Sequence, residues 1–97
     1  MTILDQLCSA IRSKSVVDLV YDGQSRVVHP HIVWSDKKSD TMVECWQTAG
    51  YSSRGKTPCW SRYNLEKISS VQLTGEHFEG PQPGFRPDRP GDIVCSL

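Results

Sequence analysis

From position 16 onward the apolar residues of this chain recur at every second place, and no helical stripe separates one such run from the next. Strands that follow one another without intervening helices cannot form a parallel sheet, because parallel neighbours need a long crossover, usually a helix. The chain is therefore restricted to antiparallel architectures. Alternation is clearest over 16–21, where Val17, Leu19 and Tyr21 share one face and Asp18 lies on the other. Asp22-Gly23, extended by Gln24-Ser25, is a hairpin-turn signal. Extended structure resumes over 26–34, with Val28, Pro30, Ile32 and Trp34 set against Val27, His29, His31 and Val33. Pro30 cannot donate to a ladder, which predicts an edge or a bulge at that point. Positions 35–40 form a polar turn, and further strands are expected over 41–47, 60–63 and 68–73.

Before this series, Thr2 followed by Asp5 resembles a capping box, and Ile3, Leu7 and Ile11 recur at helical spacing with Leu4 and Cys8 beside them. One helix over 2–14 is expected to cover a bent sheet or barrel over 16–75. The fold class is mainly β, with the domain ending near 79. Beyond it, Pro81, Pro83, Pro87 and Pro90 hold four of the six prolines, which predicts a stiff, extended tail over 80–97. Its apolar end, Ile93-Val94-Cys95-Ser96-Leu97, is expected to strap back as a short strand on its own sheet, in preference to pairing with a neighbouring subunit.

The net charge is zero, with eleven acids against eleven bases, which weighs against a broadly basic nucleic-acid coat. No run approaches the roughly 18 consecutive apolar residues of a membrane span. The first residues lack the basic lead and apolar stretch of a secretory signal, so a cytoplasmic protein is expected. On the same ground Cys8, Cys45, Cys59 and Cys95 are read as reduced, half-buried side chains. With no CxxC pair, they do not suggest zinc.

Acids are absent from 45 to 65. In that window Arg54, Lys56 and Arg62 alternate with Trp46, Tyr51, Trp60 and Tyr63, a mixture suited to a planar anion such as a nucleotide or a single strand of nucleic acid. The same window contains Gly50-Tyr51-Ser52-Ser53-Arg54-Gly55-Lys56-Thr57, which matches the phosphate-loop pattern GxxxxGK[ST]. A working phosphate loop opens a helix and is followed by a strand carrying a magnesium-binding Asp. Here Pro58 and a strand follow, so the segment is read as a connection between antiparallel strands. His29 and His31 lie two apart on one strand, too few ligands for a metal site. No GxSxG elbow, HExxH motif or paired helical acids suggests catalysis. Trp34, Trp46 and Trp60 are expected in or near the core, with Trp46 on a mixed face beside Met42 and Glu44.

Taken in order, Val17-Asp18-Leu19-Val20-Tyr21-Asp22-Gly23, Arg26-Val27-Val28-His29-Pro30 and Arg62-Tyr63-Asn64-Leu65-Glu66-Lys67-Ile68 resemble the WYL domain. Gly50-Tyr51-Ser52-Ser53 and Pro58-Cys59-Trp60 resemble the loop of small WYL-like proteins, and the likeness spans about residues 3 to 78. It implies a five-stranded Sm-like barrel preceded by a helix. It also implies a ligand-sensing module of the kind attached to bacterial transcription regulators and defence systems. On matching positions it implies ligand-facing roles for Tyr21, Arg26, His29 and Arg62. The tripeptide that names the family is replaced by Thr41-Met42-Val43, and Glu66 and Lys67 stand where Asp and Arg are usual. A lysine cannot reproduce the bidentate fork of arginine.

The expected function is recognition without turnover, needing no metal or cofactor. Arg26 and Arg62 would pair with the anion, Tyr21 and His29 would orient it, and Arg54 and Lys56 would lend charge. The competing expectation is a structural protein that self-assembles, or binds a protein partner, through strand edges and the tail.

Overall fold

The computed structural model describes residues 1–53 and 55–97. Helix α1 (Ile3–Ser13) begins where expected: Thr2 is extended, and its side chain accepts the Asp5 amide at 3.0 Å, satisfying one of the free donors of the first turn. Strands β1 (Ser15–Tyr21) and β2 (Gln24–Ser35) are joined by Asp22 and Gly23, both at positive φ, the backbone of a tight two-residue hairpin. β3 (Thr41–Gly50), β4 (Cys59–Asn64), β5 (Ile68–His77) and β6 (Asp92–Ser96) complete the sheet, with a short 3-10 turn at Leu65–Lys67. All the pairings are antiparallel, in the order β4-β3-β2-β1-β5, and β6 adds to β2.

The expected barrel is not closed, because among the described residues no ladder joins β4 to β5. One long strand explains how the sheet can still bend around the helix. β2 pairs with β3 over its length, but on its other edge it pairs with β1 as far as Val28 and with β6 from Ile32 to Ser35. Between these sections lies a bulge at Pro30–His31. Bulges bend a strand and shift the phase of its side chains.

That phase shift corrects the simple alternation read from the sequence. Val28 and Val33 both join the core beneath α1, with Leu7, Ala10, Ile11, Val17, Leu19, Val43, Cys45, Tyr63 and Val71, whereas Ile32 and Trp34 do not. Ile32 and Trp34 are buried all the same, because the chain end lies over the opposite face of the sheet. Residues between β5 and β6 run without helix or strand. There the Trp60 indole donates to Pro83 O at 3.1 Å, Phe85 packs beside Trp60, and Arg89 pairs with Glu44 while lying over Trp34. The tryptophans therefore line a second packed layer.

The cysteines depart from expectation. Cys8 of α1 is disulfide-bonded to Cys95 of β6, with Cα atoms 5.7 Å apart. Reading them as reduced rested on the lack of an export signal, whereas the pairing follows from β6 docking beside the helix. Cys45 and Cys59 remain thiols, and burial pushes the Cys45 thiol far up. Among the described residues no helix is long and apolar enough to cross a membrane.

Candidate functional site

The most unusual side chain is Arg26. It stands on β2 on the same face as Val28, is 6% exposed, and forms no salt bridge among the described residues. Three phenol rings surround its guanidinium: Tyr21 and Tyr51 at 5.1 Å and Tyr63 at 5.3 Å from carbon to ring centroid. Its Nε is buried without a hydrogen-bond partner among the described residues. Buried cations are normally paired, because leaving water costs them heavily. Here rings take the place of a carboxylate, and the residue borders an open cleft of about 470 Å³ between the β1–β2 hairpin and β4.

The rings are fixed from below by Gln47, which is fully buried. Its Nε2 donates to the carbonyls of Ala49 (3.1 Å) and Tyr51 (2.6 Å), and its Oε1 accepts from the hydroxyls of Ser61 and Tyr63, both at 3.1 Å. Carbonyls only accept, so the orientation of the amide is settled, and both hydroxyl protons point to Gln47. Tyr51, Ser61 and Tyr63 all line the cleft. One amide thus braces three of its walls. Burial pushes the Tyr63 phenol up, partly offset by the Arg26 guanidinium beside it.

The loop after Tyr51 joins two antiparallel strands and opens no helix, as expected for an accidental phosphate-loop match. Gly50 is required there for a different reason: at φ +89 a Cβ would stand 2.5 Å from Ser25 O, where Tyr51 N–H donates to the same carbonyl at 3.0 Å.

Of the residues picked from the sequence, Tyr21 and Arg26 meet in the cleft, and Arg62 borders it. Alternation along β4 sends the Arg62 side chain to the face opposite Ser61 and Tyr63. Its guanidinium stands 5.4 Å from the Trp34 ring. His29 lies one residue past Val28 on the opposite face, stacked on Phe78 at 4.7 Å, with its Nδ1 buried and without a partner among the described residues. Lys56 lines a separate recess of about 130 Å³ with Gly55 and Thr57. Arg54 lies outside the described residues. Gln47 and Ser61 were missed. The signal for them was parity, since 45, 47, 61 and 63 share the inward face of paired strands. Among the described residues no three His, Cys, Asp or Glu side chains gather as metal ligands.

No family model, curated protein or solved structure matches the chain.

Proposed function

We propose that this protein is a non-catalytic module that binds an anionic ligand, a nucleotide or a short single strand of nucleic acid, through Arg26. The observation that carries the reading is a guanidinium at the edge of a cleft, nearly buried, with no carboxylate partner and an unpartnered Nε among the described residues. An incoming phosphate or carboxylate would supply the missing counter-charge by a charge-assisted hydrogen bond. Tyr51, 49% exposed at the rim, offers a ring face on which a base can stack. Asp22, also at the rim, selects against ligands whose charge reaches past Arg26. The likeness to the WYL domain supports a sensing role in regulation, and the reading calls for no cofactor.

The location is read from a different observation. Persistent disulfides are found chiefly in oxidising compartments, which sets the Cys8–Cys95 bond against the expectation of a cytoplasmic protein.

The test is anisotropy of a labelled short single-stranded oligonucleotide, titrated with the protein at low and moderate salt. Saturable binding that weakens with salt and is lost in Arg26→Met supports the proposal. Binding that survives Arg26→Met, or that disappears only in Lys56→Ala, refutes Arg26 as the anchor. The absence of any binding to the oligonucleotide or to free nucleotides refutes the ligand class.

One observation favours a second reading. β4 and β5 each keep an edge without a partner strand among the described residues, and such edges pair readily with another chain. Native mass spectrometry distinguishes this assembly role, since it requires an oligomer and the ligand-binding role does not.

A further inference from the structure

The two ends of the segment that follows β5 meet at a single residue. His31 is wholly buried at the bulge of β2. Its own carbonyl accepts the Leu97 amide at 2.9 Å, at the end of the chain. Its ring Nε2 lies 3.1 Å from the Gln82 amide nitrogen, near the start of the segment. Its Nδ1 is 2.7 Å from the carbonyl of His29. A carbonyl only accepts and a backbone amide only donates, so these two contacts settle the tautomer: Nδ1 carries the proton and Nε2 is the acceptor. Both nitrogens of a neutral ring are used, and neither has capacity left.

The surroundings make this arrangement intolerant of a second proton. Trp60 of β4 meets the ring edge-on at 4.8 Å, Phe85 at 5.2 Å, and Phe78 stacks at 5.6 Å. The titratable group beside it is His29, which stacks on the same Phe78 ring. No carboxylate of the described residues pairs with either imidazole. His77 and Glu79 line an open recess on the side of His29.

We infer that His31 is an acid-sensitive clasp that holds the segment around Phe78, Gln82 and Phe85 over Trp60 while neutral, and releases it on taking up a second proton. The proton comes from solvent and binds Nε2. An N–H then faces the Gln82 N–H, so the hydrogen bond is lost and two donors oppose each other. The new charge lies among aromatic rings beside a second histidine. Burial holds both histidines below their ordinary value, with the His29 carbonyl partly offsetting this at His31. Opening stays local, because the Cys8–Cys95 bond and the β2–β6 ladder anchor the far end. Acid thus uncovers a tryptophan-lined face and leaves the tail attached.

The clasp is testable by NMR on the full chain with its disulfide intact, titrated from neutral pH to about two units below the ordinary histidine value. The Gln82 amide and the Trp60 indole N–H, which is bonded to Pro83 O, should lose protection together with a midpoint below 6.5. The opening constant should rise about tenfold per pH unit, for uptake of one proton. Amides of Val17 and Val43 should stay protected. In His31→Gln, whose amide oxygen accepts without titrating, the transition should vanish, and in His29→Gln it should persist. A transition retained in His31→Gln overturns the inference. So does a Gln82 amide that stays protected through the range, or loss of protection at Val43 in the same step. Should His31→Gln fail to fold, the ring ¹⁵N shifts of His31 in His29→Gln decide. Nε2 must change from acceptor to protonated in step with Gln82, and a mismatch refutes the clasp.

Discussion

Replacing Arg26 by methionine separates a structural role from a binding role by the sign of its effect. Three cation–π contacts hold the guanidinium, each contributing about 0.5–2 kcal/mol. Together they offer about 1.5–6 kcal/mol, against a desolvation cost of several kcal/mol for an unpaired buried charge. The two nearly cancel, and methionine preserves the apolar stem and fills the space among the rings without a charge to desolvate. Arg26→Met should therefore be close to neutral, or more stable by up to about 2 kcal/mol, where most buried substitutions destabilise. Urea unfolding of the oxidised protein gives the comparison, provided the slope m is unchanged. A ligand at a hundredfold excess over its Kd should then stabilise the wild type by about 2.7 kcal/mol and the variant not at all. A loss above about 3 kcal/mol in ligand-free Arg26→Met would refute the reasoning. The cation would then be a pillar of the fold, and its lack of a counter-charge would no longer point to a ligand.

Gln47→Leu keeps the side-chain size but removes four hydrogen bonds at about 0.5–1.5 kcal/mol each, so a loss of about 2–6 kcal/mol is expected by urea titration. A loss below about 1 kcal/mol would contradict the bracing role. Cys95→Ser opens a cross-link spanning 87 residues, which loop-closure entropy values at about 4–5 kcal/mol. A melt under reductant should lower the wild type to the level of the variant and leave the variant unchanged. His29 and His31 titrate below the ordinary value when folded, so the unfolded chain binds more protons. Stability should be fully present above 6.5 and should fall as pH drops below it, as unfolding midpoints measured across that window will show.

Local signals carried far in this chain. Thr2, the Asp22-Gly23 turn, Pro30 and the polar stretch before Thr41 each act through nearby backbone, and each marks a feature that the fold contains. What the sequence concealed depends on tertiary placement. The bulge was legible from Pro30, but its consequence was not: one extra residue at His31 turns Ile32 and Trp34 away from the helix and Val33 toward it. The Cys8–Cys95 pair was hidden for the same reason, since 87 positions separate the cysteines and only the docking of β6 brings them together. For the site, composition drew attention to the window between 45 and 65, yet its described cations, Lys56 and Arg62, scatter. The ring-enclosed cation comes from β2, and two of its rings come from outside the phosphate-loop lookalike.

The scatter has a simple cause in the pairing of β3 with β4. Glu44 opposes Arg62 and Trp46 opposes Trp60, whereas Cys45 opposes Ser61 and Val43 opposes Tyr63. Even positions therefore face the chain end, and odd positions face the helix and the Arg26 cage. A window rich in both cations and rings is divided by this alternation into two populations on opposite faces, with Arg62 only bordering the cleft. The even set is occupied: Arg89 bonds Glu44, Pro83 accepts from Trp60, and Arg62 lies over Trp34. Facing the odd set, Arg26 of neighbouring β2 has no acidic partner among the described residues, and it stands above an amide that has no bond left to give. Moving the charge of Arg62 to position 61 or 63 would place it in the cage but would break a Gln47 contact. The ring cage can thus hold Arg26 only because that cation enters from β2.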